Sequence, residues 1–362
     1  MSEKNNFLVV RGRAPVRIDF AGGWTDVALF TEQEPGAVVN AAINVYSYVS
    51  AQKLPPKKVE SNAYGYKHIE EKDDNSVRIY SADFDIYQEA DEIKKLEYNG
   101  RADLVKAALR RSELDFGVQL VTRSDAPVGS GLGTSGSMGV ALLGTIACLN
   151  GKPFLPYELA ELASALEREE LGILGGKQDQ YAAALGGFNF MEFLGEDVRT
   201  SKLDVPDNVV WELEKSLVLC YTGKSRVSGD IHQTIVDAYL NKERKTLEAL
   251  KNLKRIALDM KDSLLQGDLH SFGNLLLENW ENQKRLHSSV TNEQIDSLFE
   301  MALGSGAIGG KAGGAGGGGC IVFYCAPDKE HILKRKLEAA GAKIIGFHFD
   351  FDGLRIWQGF AL

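Results

Sequence analysis

The sequence predicts an α+β protein of two domains. Segments with alternating apolar residues and segments with apolar residues at helical spacing follow one another in mixed order, not in strict β-α alternation. A glycine- and serine-rich stretch, residues 125–137, separates a strand-like segment from a helix-like one. The length of 362 residues is long for one core and suits two domains of ordinary size.

The elements follow in order. Residues 7–10 and 17–20 read as two short strands on either side of a turn at Arg13-Ala14-Pro15. Residues 37–52 are apolar and β-branched, alternate around Tyr46, Tyr48 and Val49, and predict a strand. Residues 53–75 are polar, carry Pro55-Pro56 and a charged run at 70–74, and predict an exposed loop or hairpin. A strand over 118–122 precedes the glycine stretch, and Met138, Leu142, Thr145, Ile146 and Leu149 then recur at helical spacing. Pro156 opens a helix whose apolar stripe is Leu159, Leu162, Ala163 and Leu166. Residues 183–193 and 217–221 predict strands, and 230–305 is largely helical with breaks at Gly267-Asp268 and 288–291. Strand 320–325, helix 329–340 and strand 342–349 end the reading. The domain boundary falls near Pro206, giving domains 1–205 and 206–362.

Hydrophobic residues make up 44% and charged residues 25%, a soluble globular balance that excludes disordered and fibrous classes. The net charge of −9 argues against nucleic-acid and anionic-membrane partners. Four scattered cysteines (Cys148, Cys220, Cys320, Cys325) lack zinc spacing and read as reduced, mostly buried thiols. The first fifteen residues lack an apolar signal core, and the longest apolar stretch, 138–149, falls short of the ~20 residues of a membrane span. A cytoplasmic location is expected.

The most informative segment is Asp125-Ala-Pro-Val-Gly-Ser-Gly-Leu-Gly-Thr-Ser-Gly-Ser137. Glycines 129, 131 and 133 let successive amides turn inward, and a helix N-terminus adds partial positive charge, so the loop can cradle polyphosphate without a lysine. A plain helix cap would need one Ser or Thr but not three alternating glycines. A Walker A loop fails, because Val218 stands where the first glycine before Gly223-Lys224-Ser225 is required. Gly131, Gly133 and Gly136 formally match a dinucleotide fingerprint, but the preceding strand does not run directly into it. A second glycine run, 304–319, abuts the apolar strand 320–325, which means close backbone approach to a ligand or another loop rather than a flexible linker.

Three signatures in order resemble the GHMP kinases: Arg13-Ala-Pro-Val-Arg-Ile-Asp-Phe-Ala-Gly-Gly-Trp-Thr-Asp26, Pro127-Val-Gly-Ser-Gly-Leu-Gly-Thr-Ser-Gly-Ser137 and Gly310-Lys-Ala-Gly-Gly-Ala-Gly-Gly-Gly-Gly319. The resemblance implies an N-terminal ribosomal-protein-like βαβ domain, a C-terminal ferredoxin-like domain, and an active site between them. Within the superfamily the chain looks most similar to the bacterial D-glycero-D-manno-heptose 7-phosphate kinases, on Ala21-Gly-Gly-Trp-Thr-Asp26, residues 166–183 and residues 186–193. L-fucokinases share a similar N-terminal segment. Galactokinases carry Glu-His where this chain has Gly23-Trp24, which counts against galactose. The implied activity is ATP- and Mg²⁺-dependent phosphorylation of the anomeric hydroxyl of D-glycero-D-manno-heptose 7-phosphate to the 1,7-bisphosphate, with an L-fucokinase-like or other sugar 1-kinase activity as the alternative. A silent sugar sensor is the alternative of another class, and a dinucleotide-dependent oxidoreductase a distant third. A homo-oligomer is neither implied nor excluded.

The resemblance also assigns roles. Asp179 matches the catalytic carboxylate that takes the proton of, or positions, the acceptor hydroxyl. Arg17 matches the arginine beside that base, where it would offset developing charge. Ser135 and Glu167 would hold Mg²⁺, with Glu169 and Glu170 as neighbours able to substitute. Pro127, Gly129, Ser130, Gly131, Leu132, Gly133, Thr134, Ser135, Gly136 and Ser137 are the candidate ATP contacts. On the sugar side stand Asp26, Gly23 and Trp24, with Gly314 and Gly316 of the second glycine run. Lys177, Lys224, Arg226 and Lys311 are candidates for a remote phosphate, with Arg226 preferred for its bidentate grip.

Overall fold

In the computed structural model, which describes residues 8–63, 66–223 and 228–360, strand β1 runs unbroken over Leu8–Ala21. This corrects the expectation of two strands around a turn. The chain absorbs Pro15 in a register shift against β2 (Gly36–Lys53), where a bulge makes a missing ladder N–H harmless. The short helix α1 (Ala28–Thr31) lies between the two strands. Hairpin β3 (Lys57–Ala63) and β4 (Tyr66–Lys72) occupies the polar stretch as a separate two-stranded sheet.

Strands β5 (Val77–Ser81) and β6 (Ile86–Ala90), helix α2 (Asp103–Arg111) and strand β7 (Val118–Ser124) follow. The glycine stretch then leads into helix α3 (Thr134–Leu149), which is buried on nearly all sides. Helix α4 (Pro156–Ala165) continues into a π-helical turn, Leu166–Glu170. Helix α5 (Gln178–Leu185) precedes strands β8 (Phe188–Leu194) and β9 (Asp197–Lys202). The strand expected over 183–193 therefore begins only at Phe188. Residues 183–185 close a helix that Gly186 and Gly187, at φ +68° and +70°, terminate.

The second half holds α6 (Asp207–Ser216), β10 (Leu217–Tyr221), α7 (Ser228–Leu240), α8 (Arg244–Gln266), α9 (Leu269–Leu286) and α10 (Glu293–Leu303). It ends with β11 (Ala307–Ala312), β12 (Cys320–Cys325), α11 (Glu330–Ala339), β13 (Lys343–Ile345) and β14 (Arg355–Phe360). The strand expected over 342–349 shrinks to three residues, and β14 lies beyond the elements the sequence predicts.

The larger sheet has the order β14-β1-β2-β7-β5-β6, with β8 and β9 branching from β2; the smaller has the order β11-β12-β10-β13. Strand β2 is shared. Its residues 47–53 pair with β7 while residues 36–41 pair with β8. Helices α2 to α5 cover the larger sheet in one core, and a second core joins β1, β2 and β8 to α8, α9, β10 and β12. A division at residue 206 leaves β1–β9 on one side and the smaller sheet on the other, while β14 crosses back to pair with β1. At the junction Phe20 is fully buried with its ring edge-on to Phe272, centroids 5.2 Å apart. Emptying such a site costs about 3–5 kcal/mol. Among the described residues no helix is long and apolar enough to cross a membrane.

Candidate active site

Between the two sheets lies a cavity of about 300 Å³. Its upper wall is the loop from β7 to α3. Gly129, Gly131 and Gly133 stand at φ +67°, +74° and +75°, a left-handed conformation that a side chain would strain. Alternate residues of this kind turn amides to one side and form an anion-binding hollow at the start of α3. The second glycine run clamps the loop from outside. The Cys320 N–H donates to the Ser130 carbonyl at 2.7 Å, and a Cβ on Gly131 would lie 2.7 Å from the Gly313 oxygen. The glycines packed against strand 320–325 thus serve close approach between two loops.

Arg17, projecting from β1, joins the loop to Asp179. Its Nε donates to Asp179 Oδ1 at 2.8 Å, its Nη2 lies 2.6 Å from the same oxygen, and its Nη1 donates to the Gly131 carbonyl at 2.7 Å. Asp179 sits in the first turn of α5, held against the loop because Gly133 and Gly136 lack side chains: a Cβ on either would meet Asp179 atoms at 2.8 and 2.7 Å. Ser135, in the first turn of α3, donates to Glu167 Oε1, and Gln180 Nε2 donates to Glu167 Oε2. Glu167 is buried on the π-helical turn, a distortion that recurs at functional sites. Burial pushes its carboxyl up to about 7, the charge of Asp179 adds to this, and the hydrogen bonds from Ser135 and Gln180 oppose it.

Asp26 comes from the turn after β1. Thr25 pins this turn by donating from Oγ1 to the Gly22 carbonyl at 2.7 Å and accepting from the Ala37 N–H at 3.0 Å. Asp26 does not cap α1; its Oδ2 accepts the Gln178 N–H at 3.3 Å, at the start of α5. Burial pushes the Asp26 carboxyl up to about 6, with the charges of Asp179 and Asp19 adding to it. Trp24 has φ +82°, an outlier for a bulky residue, and its buried ring lies on the cavity wall.

The cavity gathers Asp179, Arg17, Asp26, Gly23 and Trp24, together with Ser135, Thr134, Glu167 and Gly133. Gly129, Ser130, Gly131, Gly314 and Gly316 complete the expected set on its wall. Other expected contacts stand elsewhere, for identifiable reasons. Pro127 forms the turn before the loop, its carbonyl accepting the Ser130 N–H, and Leu132 is buried behind it. Gly136 is covered by Asp179, and Ser137 spends its hydroxyl on the Ala14 carbonyl at 2.8 Å. Lys177 is turned into an ion-pair cluster, 3.1 Å from Glu161 and 3.2 Å from Glu196, so its charge is neutralised away from the cavity. Arg226 and Lys224 lie outside the described residues.

Sequence reasoning missed Asp19. It is on the cavity wall and pairs with buried Lys311 across 2.6 Å, linking β1 to β11. Burial lowers the Lys311 ammonium while Asp19 opposes that shift. A Cβ on Gly23 would stand 2.3 Å from Asp19 Oδ2, which explains that glycine. The signal was available: Arg17 and Asp19 are two apart on one strand and so share a face. His232 of α7, also on the wall, lies in no motif that could have flagged it.

The description "GHMP kinases N terminal domain" fits residues 102–187, and "GHMP kinases C terminal" fits residues 260–343. The chain is 33% identical to a D-glycero-alpha-D-manno-heptose 7-phosphate kinase of Campylobacter jejuni, over 96% of this chain and 99% of that protein. It is 29% identical to an L-fucokinase/L-fucose-1-P guanylyltransferase of Bacteroides fragilis, over 91% of this chain and 36% of that protein. Among solved structures, a D-glycero-D-manno-heptose 1-phosphate kinase from Bacteroides thetaiotaomicron superposes with a TM-score of 0.77 at 32% identity, covering 97% and 100% of the two chains.

Proposed function

The chain belongs to the GHMP kinases and is an ATP-dependent sugar kinase, and on that premise we propose that it transfers the γ-phosphoryl group of ATP, with Mg²⁺, to the anomeric hydroxyl of D-glycero-D-manno-heptose 7-phosphate. The observation that carries this reading is the Arg17–Asp179 pair fastened to the glycine loop, with Asp26 on the same wall. It places a carboxylate for an acceptor hydroxyl beside a hollow for phosphate.

In the proposed reaction the anomeric oxygen attacks the γ-phosphorus, the bond to the bridging oxygen breaks, and ADP leaves. Asp179 takes the hydroxyl proton and returns it to solvent. Arg17 fixes the direction of that carboxylate and offers positive charge where the transferred group develops negative charge. Asp26 accepts hydrogen bonds from other sugar hydroxyls. The loop amides hold the ATP phosphates.

The donor set around Glu167 fits Mg²⁺. Glu167 is a buried carboxylate flanked by two neutral donors, Ser135 and Gln180, a situation that a divalent cation relieves. Among the described residues no group of three or more His, Cys, Asp or Glu is arranged for a metal. A sparse pair of oxygens suits an ion that takes much of its shell from phosphate and water. Ser135 and Glu167 would hold it, and it would supply charge neutralisation at the phosphates.

The two heptose kinases named above differ in which carbon carries the existing phosphate, and the C. jejuni relative supports the 7-phosphate. An L-fucokinase-like activity is the second reading, supported by the B. fragilis relative. ADP release with heptose 7-phosphate, L-fucose and galactose separates them. Heptose 7-phosphate should give the highest kcat/KM, and a higher value with L-fucose would replace the proposal by the second reading.

A further inference from the structure

Phosphoryl transfer to a sugar competes with transfer to water, because a carboxylate that takes the proton of a sugar hydroxyl can equally take one from water. A kinase that keeps ATP for its sugar has to hold water away from the γ-phosphorus while the sugar is bound. The cavity wall carries the carboxylates Asp26, Glu167 and Asp179. On the same wall stand two large apolar side chains, Ile173 and Leu174, each 46% exposed. Leu171, two residues before Ile173, instead packs against the core beneath the larger sheet.

The segment that carries this apolar pair is anchored at both ends. It follows the π-helical turn Leu166–Glu170, and Gly172, at φ +64°, supplies the left-handed residue that redirects the chain. The Ile173 N–H then donates to the Glu167 carbonyl at 2.8 Å. On the far side Gly176 forms a β-bridge with Val27 and approaches Asp26 so closely that a Cβ would lie 1.8 Å from Oδ2. One end is thus tied to the residue that would hold Mg²⁺, and the other lies against the carboxylate for the sugar. Ile173 and Leu174 span the wall from its phosphate-transfer side to its sugar side.

We propose that Ile173 and Leu174 form an apolar cover against the bound acceptor sugar and keep water from the γ-phosphoryl group during transfer. This rests on the sugar-phosphate reading above. The C–H edges of a bound sugar meet the two side chains and take their exposed carbon out of water, which favours the covered state. Hydrocarbon offers a water molecule no hydrogen bond, so none settles between the cover and the sugar. Serine at these positions supplies such a bond and opens the side of the site to water. A water oxygen then attacks the γ-phosphorus, the bond to the bridging oxygen breaks, ADP leaves, and Asp179 takes the proton of the water. The product of that step is inorganic phosphate in place of a sugar phosphate.

The test measures inorganic phosphate and sugar phosphate formed by the full-length protein from ATP, Mg²⁺ and saturating D-glycero-D-manno-heptose 7-phosphate. Ile173→Ser, Leu174→Ser and the double variant are compared with the wild type and with Leu174→Met, which keeps the apolar surface. The expected result is a ratio of inorganic phosphate to sugar phosphate raised about tenfold or more in the double serine variant, a change of roughly one factor of ten in relative barrier heights. Each single variant should show a smaller rise, and Leu174→Met should stay near the wild type. Both positions are exposed, so thermal unfolding should be unchanged, and the single variants serve if the double one fails to fold. An unchanged ratio in the serine variants overturns the cover, as does slower sugar phosphorylation with no added inorganic phosphate. In both cases the wild type still phosphorylates the heptose and the sugar-phosphate reading stands. A wild type that leaves heptose 7-phosphate unphosphorylated overturns that reading itself.

Discussion

Gly176→Ala tests whether the placement of Asp26 governs the sugar step. Gly176 precedes α5, and an added Cβ would lie 1.8 Å from Asp26 Oδ2, 2.1 Å from Cγ and 2.7 Å from Oδ1. Ordinary contact begins at 3.4 Å, so carboxylate and backbone must separate by 1.6 Å. Neither moves freely. Gly176 is tied to Val27 in a β-bridge, and the buried Asp26 carboxylate is held by the Gln178 N–H. Gly176 does not have positive φ, so crowding alone is tested. A misplacement of about 1 Å costs on the order of 10²-fold in rate, and overpacking costs about 1–3 kcal/mol of stability. Steady-state kinetics should show kcat/KM for the sugar falling on that scale while KM for ATP changes little. Gly175→Ala, whose methyl meets no atom within 4 Å, is the matched control and should stay within a few-fold of wild type. A folded Gly176→Ala enzyme with wild-type sugar kinetics would refute the reasoning.

Three further outcomes are expected. Asp179→Asn should keep the fold and ATP binding but lose at least ~10²-fold in kcat, and near-normal turnover would remove Asp179 from the base role. Glu167→Gln and Ser135→Ala should each raise the Mg²⁺ concentration that gives half-maximal rate; an unchanged titration in both would move the metal elsewhere, with Glu169 or Glu170 next in line. Asp26→Asn should change the pH dependence of stability in the absence of nucleotide and divalent cation. The folded carboxyl is raised from 3.8 to about 6, so between those values the folded state keeps a proton that the unfolded state has lost. Stability therefore falls as pH rises through that window, by roughly 3 kcal/mol at most for this group. The variant lacks that decline, and parallel wild-type and variant curves from pH 4 to 7 would contradict the assignment.

Much of this was legible in the sequence, and the exceptions have physical causes. Local signals placed α3, α4, β10 and β12 because their apolar periodicity and glycine or proline boundaries agree with the final packing. Pro15 misled because a bulge, set by the register of β2, lets a strand run through it. β14 depends on pairing with β1 from the opposite end of the chain, which no local pattern reveals. In the site, the glycines, Arg17, Asp26 and Asp179 were readable as motif residues. Their neighbours Asp19 and Lys311 form an ion pair across 292 positions, and only the fold brings them together. Glu167 could be singled out from Glu169 and Glu170 only through the resemblance; the π-helical turn, which no local pattern reveals, carries it inward. Lys177, with two glycines before it, looked free to meet a ligand, and the tertiary fold instead surrounded it with Glu161 and Glu196.

The most direct test of the central claim is phosphorus NMR of the product formed from ATP and D-glycero-D-manno-heptose 7-phosphate. The account predicts a new phosphate signal coupled to the anomeric proton, with the 7-phosphate signal retained. A new phosphate without that coupling, or no transfer to this sugar under conditions where L-fucose is phosphorylated, would contradict it.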